Sequence, residues 1–331
     1  YTDVQMDCVI ECKDQKSIYE VPLALEKEGL AERILDKLCL VSGPPDLNSW
    51  QEMVNRLRKP EGVNGKKLIK VAIVGKYVKL SDSYISVVEA IKHASAYVGT
   101  DVEIKWVLSD DLDNTVDLKT VFGDVDGIVV PGGFGDRGIE GKINAIQYAR
   151  ENKIPFLGLC LGMQCAVIEF ARNVCGLNGA NSAEFAPETL HPVIDLMPEQ
   201  ETVTQKGGTM RLGKYPCVLL RGTKAVDIYG SEIIHERHRH RFEFNNFYRE
   251  KLSLNGMVFS GVSPDNNLVE LIELKNHPWF VASQFHPEFK SRPEIPHPLF
   301  VGLVKTILGV PLQEIKQDSS NTSSEKINSE S

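Results

Sequence analysis

The segment Pro155-Phe-Leu-Gly-Leu-Cys-Leu-Gly162 ends an apolar run, and residues 163–170 after it are typical of a helix. Glycines stand two positions before and two positions after Cys160, where a tight strand-to-helix turn leaves no room for a Cβ atom. This pattern predicts a nucleophile elbow, a turn that lifts a reactive side chain out of a sheet. The amino end of the following helix favours a thiolate over a thiol. We therefore expect Cys160 to be a reactive nucleophile.

The sequence around this elbow alternates between short apolar runs and helical patterns. Strands are expected at 68–74, 102–107, 127–130 and near Phe156, with helices at 82–97 and at about 139–151. This alternation predicts an α/β fold with a mostly parallel central sheet and helices on both faces. Residues 190–285 predict additional short antiparallel strands, and a final helix is expected at 298–308. Active residues of such sheets gather at the carboxyl ends of the strands, where Gly133 and Cys160 both fall.

Three parts of the chain differ in composition. Residues 1–65 resemble no complete domain and predict linker helices, with a break at Gly43-Pro-Pro45. Residues 66–311 carry the α/β pattern and are predicted to form one domain. Residues 312–331 are rich in serine, carry almost nothing to bury and are predicted to be disordered. Because the sequence starts at Tyr1, we expect it to be a fragment of a longer protein.

Composition narrows the class of protein. The chain of 331 residues has a formal net charge of −8, which argues against a nucleic-acid partner. No apolar run approaches the roughly 20 residues of a membrane-spanning helix, so no membrane partner is expected. Seven cysteines at irregular spacing are typical of a reduced compartment and predict a cytoplasmic protein. His238 and His240 alternate as in some metal sites, but no third ligand is evident and no metal is expected.

The run Gln284-Phe-His-Pro-Glu288 closes an apolar strand. In extended backbone His286 and Glu288 are two positions apart, so their side chains leave the same face. Glu288 can accept a hydrogen bond from one imidazole nitrogen while the other nitrogen faces Cys160. A cysteine nucleophile needs such a base and a group that orients it. We predict a catalytic triad of Cys160, His286 and Glu288.

Acyl chemistry also needs donors for the oxyanion of a tetrahedral intermediate. The amide of Leu161, directly after the nucleophile, is one candidate. The run Val130-Pro-Gly-Gly-Phe-Gly135 stands one strand–helix unit earlier, and its glycines allow the backbone to turn an N–H toward the site. Gly133 is therefore predicted to supply the second donor.

In chain order, the Pro-Gly-Gly run at 131–133, the elbow at 158–164 and Phe-His-Pro-Glu at 285–288 resemble the class I (triad) glutamine amidotransferases. The likeness covers roughly residues 68–308 and implies their flavodoxin-like fold. Some stretches resemble the CTP synthase family more narrowly: Asn181–Phe185, Gly207–Gly213, Glu236–Asn245, Gly75–Tyr77, Asp82–Tyr84 and Ser291–Pro293. The Arg-His run at 237–241 is the most distinguishing of them.

This resemblance implies roles for residues whose pattern alone is neutral. Glu184 matches the residue that binds the α-ammonium group of glutamine, and Arg241 the one that binds its α-carboxylate, so each charge meets an opposite partner. Family contacts with glutamine also match a further set of residues: Gly133, Phe134, Leu161, Gly162, Met163 and Gln164. Phe134 and Arg137 match positions near the allosteric GTP site of the family.

The resemblance implies the glutaminase part of a CTP synthase, preceded by the tail end of the synthetase domain in residues 1–65. Cys160 would form a thioester with L-glutamine and release ammonia, and the domain itself would need no cofactor. The synthetase domain would use ATP, Mg²⁺ and UTP to make CTP, with GTP as activator and assembly into a homo-oligomer, a tetramer. No Gly-x-x-x-x-Gly-Lys-Ser/Thr phosphate loop occurs in this chain.

Two alternatives remain open at this stage. One is a class I amidotransferase domain that serves another synthetase, against which Glu184 and the Arg-His run argue. The other is a catalytically silent regulatory or assembly module whose triad is retained for folding. Covalent labelling of Cys160 by an electrophilic glutamine analogue separates the second alternative from an enzyme, because a silent module would not react.

Overall fold

The computed structural model describes residues 3–58, 60, 62–113, 115–196 and 210–313. The strands are β1 (Leu68–Gly75), β2 (Asp101–Leu108), β3 (Gly127–Val130), β4 (Phe156–Leu159), β5 (Asn181–Ser182), β6 (Pro192–Leu196), β7 (Arg211–Leu219), β8 (Ile233–His240), β9 (Phe242–Phe244), β10 (Met257–Val262), β11 (Val269–Leu274) and β12 (Phe280–Ser283). The helices are α1 (Val21–Lys27), α2 (Leu30–Leu38), α3 (Asn48–Arg58), α4 (Ile85–Val98), α5 (Leu118–Phe122), α6 (Ile139–Glu151), α7 (Leu161–Asn173), α8 (Lys224–Tyr229), α9 (Arg249–Leu254) and α10 (Pro298–Ile307). Residues 207–209 of the Gly207–Gly213 stretch lie outside the described residues, as do residues 314–331 of the predicted disordered tail.

Nine strands form one sheet in the order β2-β1-β3-β4-β12-β11-β10-β7-β8. The first five of these strands pair in parallel, and β11, β10, β7 and β8 continue the sheet with antiparallel pairs. The predicted α/β fold with a parallel core is therefore confirmed. The predicted antiparallel strands extend the same sheet, so the central layer is mixed.

Helices cover both faces of this sheet, as predicted. In β1, Ala72 and Val74 face a core that contains residues of α6 and α7, whereas Val71 and Ile73 face a core that contains residues of α4 and α10. Successive strand residues point to opposite faces, so an uninterrupted apolar strand supplies both layers. The side chains of β1 are therefore packed in a hydrophobic core on each face of the sheet.

The strand order brings three predicted elements to one edge of the sheet. β4 lies between β3 and β12, and all three strands are parallel. Their carboxyl ends lead directly into the Pro131-Gly-Gly run, Cys160 and Gln284-Phe-His286. Residues remote in sequence are thus brought together where doubly wound sheets hold their active sites.

A second sheet of three strands, in the order β5-β6-β9, lies beside the large one. β5 pairs in parallel with β6, and β6 pairs antiparallel with β9. Glu184 follows β5 and Arg241 precedes β9, so this small sheet positions both predicted glutamine-binding residues.

Helices α1 to α3 precede β1 in the chain. The indole N–H of Trp50 on α3 donates to the carbonyl of Tyr19 at 2.8 Å, and α3 contacts α4. Residues 1–65 therefore contain helices, as expected, while their role as a linker and the domain boundary at residues 65 and 66 remain predictions.

Candidate active site

Cys160 occupies a strained turn between β4 and α7. Its φ is 51° and its ψ −102°, a region that residues with a side chain rarely adopt. The turn is held because the Cys160 N–H donates to Ser283 O at 2.7 Å, which ties it to β12. Strain of this kind at a non-glycine residue is maintained by its surroundings and is typical of functional sites.

The glycines flanking Cys160 are required by packing. A Cβ atom on Gly162 would lie 2.1 Å from the carbonyl oxygen of Val130, and one on Gly158 would lie 2.9 Å from the Cβ of Ala282. Any side chain here would push neighbouring strands apart. The sequence-based interpretation of Gly-x-Cys-x-Gly as an elbow therefore has a direct geometric reason.

His286 and Glu288 form a hydrogen-bonded pair at the end of β12. The Nδ1 atom of His286 lies 2.7 Å from Oε1 of Glu288, and both residues are buried. The backbone N–H of His286 donates to Arg237 O at 2.8 Å, which anchors the backbone of His286 to the middle of β8. Glu288 therefore fixes Nδ1 as the protonated, donating nitrogen of the ring.

The imidazole of His286 lies beside Cys160. A Cβ atom built on Gly132 would lie 3.0 Å from Cε1 of His286 and 3.6 Å from the Cβ of Cys160, so both side chains border the same glycine. Burial alone would lower the pKa of His286, but the adjacent Cys160 sulfur and the Glu288 carboxylate raise it to about 10. A protonated imidazole at neutral pH is the partner that a thiolate needs.

Leu161 and Gly133 lie near Cys160, where donors for an oxyanion were predicted. The first hydrogen bonds of α7 are donated by Met163 and Gln164 to Cys160 O, so the Leu161 amide precedes the intrahelical bonding pattern. A Cβ atom on Gly133 would lie 3.3 Å from Cδ2 of Leu161. The two predicted residues are thus adjacent at the amino end of α7.

Glu184 follows β5 and Arg241 precedes β9, both strands of the small sheet. Burial raises the pKa of Glu184, while the Gly135 amide, Lys76 and Arg241 act in the opposite direction. Within the described residues, the buried Nε atom of Arg241 has no hydrogen-bond partner. A carboxylate and a guanidinium with unused donors are a fitting pair for a zwitterionic amino acid.

The remaining predicted contacts divide into two groups. Gly162, Met163 and Gln164 are buried in the first turn of α7, and the Gln164 amide nitrogen donates to Phe242 O at 3.1 Å. Phe134 is 53% exposed, and Arg137 donates to Asp110 and to Lys76 O, both at 2.9 Å. Phe134 and Arg137 are therefore surface residues.

Strand β8 has the alternation that the Arg-His run predicts. His238 and His240 are buried, whereas Arg237 and Arg239 are exposed. The histidines bond to each other at 2.8 Å between Nδ1 of His238 and Nε2 of His240. No group of three or more His, Cys, Asp or Glu residues within the described ranges could hold a metal ion.

Three polar residues near the sulfur received no role from the sequence. Gln284 lies with Nε2 at 3.7 Å from Sγ of Cys160, and the Nζ atom of Lys76 donates to Phe134 O. Lys142 is fully buried in α6, close to Gly133. Its burial is signalled by the spacing of Ile139, Ile143 and Ile146, which places position 142 on the apolar face of the helix.

Replacing Lys142 with methionine is expected to stabilise the protein. The Nζ atom is inaccessible and without a hydrogen-bond partner among the described residues, and burial lowers its pKa. A buried polar group without a partner costs about 1–3 kcal/mol, which a methionine of similar length would recover. Urea unfolding of the two proteins measures the difference. A less stable Lys142→Met protein would mean that the amine has a stabilising partner.

Comparison with known proteins agrees with this geometry. Residues 79–306 match the family described as glutamine amidotransferase class-I. The chain belongs to the class I glutamine amidotransferase family. Among solved structures, the glutaminase domain of Trypanosoma brucei CTPS with bound acivicin is 38% identical, with a TM-score of 0.69. The match covers 73% of this chain and 95% of that one.

Curated relatives of this amidotransferase carry the name CTP synthase. One from Caldanaerobacter subterraneus subsp. tengcongensis is 60% identical over 311 residues, covering 94% of this chain and 57% of the relative. One from Synechococcus sp. (strain ATCC 27144) is 56% identical over 309 residues, and the match covers 93% of this chain and 56% of the relative. The chain thus spans little more than half the length of these relatives. These matches confirm the resemblance found in the motifs.

No helix within the described residues is both long enough and apolar enough to cross a membrane.

Proposed function

We propose that this chain hydrolyses L-glutamine to glutamate and ammonia. The observation that supports this most directly is the placement of the Cys160 turn beside the hydrogen-bonded pair of His286 and Glu288. A thiolate, an imidazolium and an orienting carboxylate are the groups that cleavage of an amide by a cysteine nucleophile requires.

In the proposed reaction, the Cys160 thiolate attacks the side-chain amide carbon of glutamine. The negative charge that develops on the amide oxygen is held by the amides of Gly133 and Leu161. The His286 imidazolium gives its proton to the amide nitrogen as the C–N bond breaks, and ammonia leaves. Water, deprotonated by the now neutral His286, then attacks the γ-glutamyl thioester and releases glutamate and the thiolate.

Glutamine is the proposed substrate because the site offers a charge for each end of its amino-acid head. Glu184 would bind the α-ammonium group and Arg241 the α-carboxylate, while Phe134, Gly162, Met163 and Gln164 line the proposed pocket. Time-resolved glutamate release from L-glutamine, compared with L-asparagine, tests this assignment. Release of product from both at equal rates, or from neither, would refute it.

Replacing Arg241 with alanine is expected to raise the KM for glutamine roughly 10- to 100-fold while turnover falls much less. An ionic hydrogen bond is worth about 1.5–3 kcal/mol, and its loss leaves the substrate carboxylate unpaired. Steady-state glutaminase kinetics give both constants. Arg221→Ala is the matched control, because Arg221 is exposed and pairs with Glu232 at 2.7 Å. An unchanged KM for Arg241→Ala would make Arg241 a structural residue.

For the whole protein we propose the activity that the relatives' name states, the glutamine-dependent ligase reaction of a CTP synthase. A synthetase domain would use the ammonia to aminate UTP to CTP with ATP and Mg²⁺, and the enzyme would act in pyrimidine nucleotide biosynthesis in the cytoplasm. GTP would activate it near Phe134 and Arg137, and the synthetase domain would hold the enzyme in a homo-oligomer, a tetramer. Ammonia-dependent and glutamine-dependent CTP formation by the whole protein measure these two halves separately.

A further inference from the structure

A chain of partly buried hydrogen bonds connects the segment before β1 to the loop after Glu288. Tyr19 lies in the 3-10 turn Ile18–Glu20, and its hydroxyl is 2.6 Å from Nε2 of His93 on α4. Nδ1 of His93 is 3.1 Å from Oγ of Ser291. Residues 19, 93 and 291 therefore form a continuous contact, which we term the Tyr19–His93–Ser291 relay.

Donors and acceptors in the relay fit one arrangement. The Tyr19 hydroxyl donates to Oε2 of Glu89 at 2.6 Å, so its oxygen must accept the N–H of His93 Nε2. Nδ1 of His93 is then an acceptor, and the Ser291 hydroxyl donates to it. The Ser291 oxygen in turn accepts the backbone N–H of His297 at 3.3 Å. Every hydrogen atom has one acceptor, so the relay has a defined direction.

The ionisation of the groups agrees with this arrangement. Burial lowers the pKa of His93, which keeps the ring neutral with one N–H. Burial and the bond to Glu89 raise the pKa of Tyr19, so its hydroxyl keeps its proton. Burial alone would raise the pKa of Glu89, but the bonds from Tyr19 and Lys92 lower it, so the carboxylate stays ionised.

The relay ends next to the triad. Glu288 lies in the 3-10 turn Pro287–Phe289, against which α4 packs, and Ser291 follows three positions after it. The ring of Phe289 stacks on the imidazole of His286, with centroids 5.3 Å apart. A displacement of Ser291 would therefore move both the carboxylate and the ring that contacts the imidazole.

The loop after the triad is anchored on a second side by β8. Lys290 pairs with the buried carboxylate of Glu236 at 3.0 Å, and Nε2 of His297 lies 3.2 Å from the same oxygen. These contacts belong to the amidotransferase domain itself. The relay differs from these contacts because Tyr19, at its other end, belongs to the segment before β1. In that segment the indole N–H of Trp50 on α3 donates to the carbonyl oxygen of Tyr19.

We infer that Tyr19, His93 and Ser291 are positioning residues that let the segment before β1 set the placement of Glu288 and His286. The inference rests on the proposed glutaminase function. It assigns the segment a part in catalysis beyond connecting two domains. None of the three side chains is proposed to contact glutamine.

The test compares Ser291→Ala, Tyr19→Phe and the double variant in this chain, by glutamate release and by the rate at which acivicin labels Cys160. Each single change is expected to lower turnover and labelling roughly threefold to tenfold, with little change in KM, because positioning acts on the reacting groups. The double variant should be no slower than the slower single variant, since one break interrupts the relay. Ser291→Thr, which keeps a hydroxyl, should restore most of the rate.

The matched control is Ser231→Ala, because that serine makes a 2.9 Å bond to Ile233 O at an exposed turn away from the relay. The inference would be overturned if both single variants released glutamate at the wild-type rate. It would also be overturned if the two losses of rate multiplied in the double variant. Tyr19→Phe retains the packing of the ring. If Ser291→Ala does not fold, the glutamate release of Tyr19→Phe therefore tests the inference. An unmodified chain that neither releases glutamate nor is labelled would instead refute the proposed function.

Discussion

Replacing Cys160 with serine is expected to reduce glutamate release from L-glutamine by at least roughly 10⁴-fold, because a serine hydroxyl is a far weaker acid than a thiol and does not ionise beside His286. Burial lowers the pKa of His286, and the Cys160 sulfur is the largest of the contacts that raise it to about 10. The substitution therefore removes both the thiolate and the main reason why the imidazole is charged. Glutamate formation followed by a coupled dehydrogenase assay measures the ratio.

Cys165→Ala is the matched control for this substitution. Cys165 lies on the same helix five positions later, is completely buried, and burial raises the pKa of its thiol to about 11. It is therefore unreactive, and its replacement should leave the glutaminase rate within a few-fold of the unchanged protein. If Cys160→Ser and the unchanged protein released glutamate at equal rates, Cys160 would not be the nucleophile.

Replacing Gly162 with alanine is expected to destabilise the elbow and to abolish the reactivity of Cys160. The added Cβ atom would lie 2.1 Å from Val130 O, a backbone atom that cannot move without shifting β3. Overpacking of a core usually costs about 1–3 kcal/mol, and a clash with strand backbone should reach roughly 3 kcal/mol or more. Chemical unfolding measures the stability of the variant, and the rate of alkylation of Cys160 measures whether the turn still presents a reactive sulfur.

Gly43→Ala controls for the general effect of replacing a glycine. A Cβ atom at position 43 would meet nothing within 4 Å, and the residue does not have a positive φ. Its stability should change by less than about 1 kcal/mol. If Gly162→Ala unfolded at the same denaturant concentration as Gly43→Ala, the elbow could not be as closely packed as described.

The parallel half of the fold and the candidate site were predictable because their signals are local. A buried parallel strand is apolar along its whole length, as 68–74 is, and the elbow needs small residues on both sides of Cys160. The pair of His286 and Glu288 follows from extended backbone, and the carboxyl ends of parallel strands meet at one edge. Local pattern thus indicated that Cys160, His286 and Glu288 follow the ends of their strands, while their role as a triad remains a prediction.

The antiparallel half and the second layer of the site were not predictable in the same way. In the order β12-β11-β10-β7-β8, the pairing of β10 with β7 joins strands that are not consecutive along the chain, and apolar runs do not encode which strands pair. The contact between His93 and Ser291 joins residues 198 positions apart. The spacing of the neighbouring isoleucines places Lys142 on the apolar face of α6, but lysine is usually exposed, so its residue type alone does not predict its burial.

Adduct mapping tests most directly whether Cys160 is the nucleophile of a glutamine-specific site. The chain is treated with acivicin with and without excess L-glutamine, and its cysteine-containing peptides are analysed by mass spectrometry. We expect one adduct, on Cys160, whose formation is slowed by L-glutamine and by the Arg241→Ala substitution. Labelling spread over the exposed Cys12 and Cys39 with Cys160 unmodified, or labelling of Cys160 that glutamine does not slow, would contradict it.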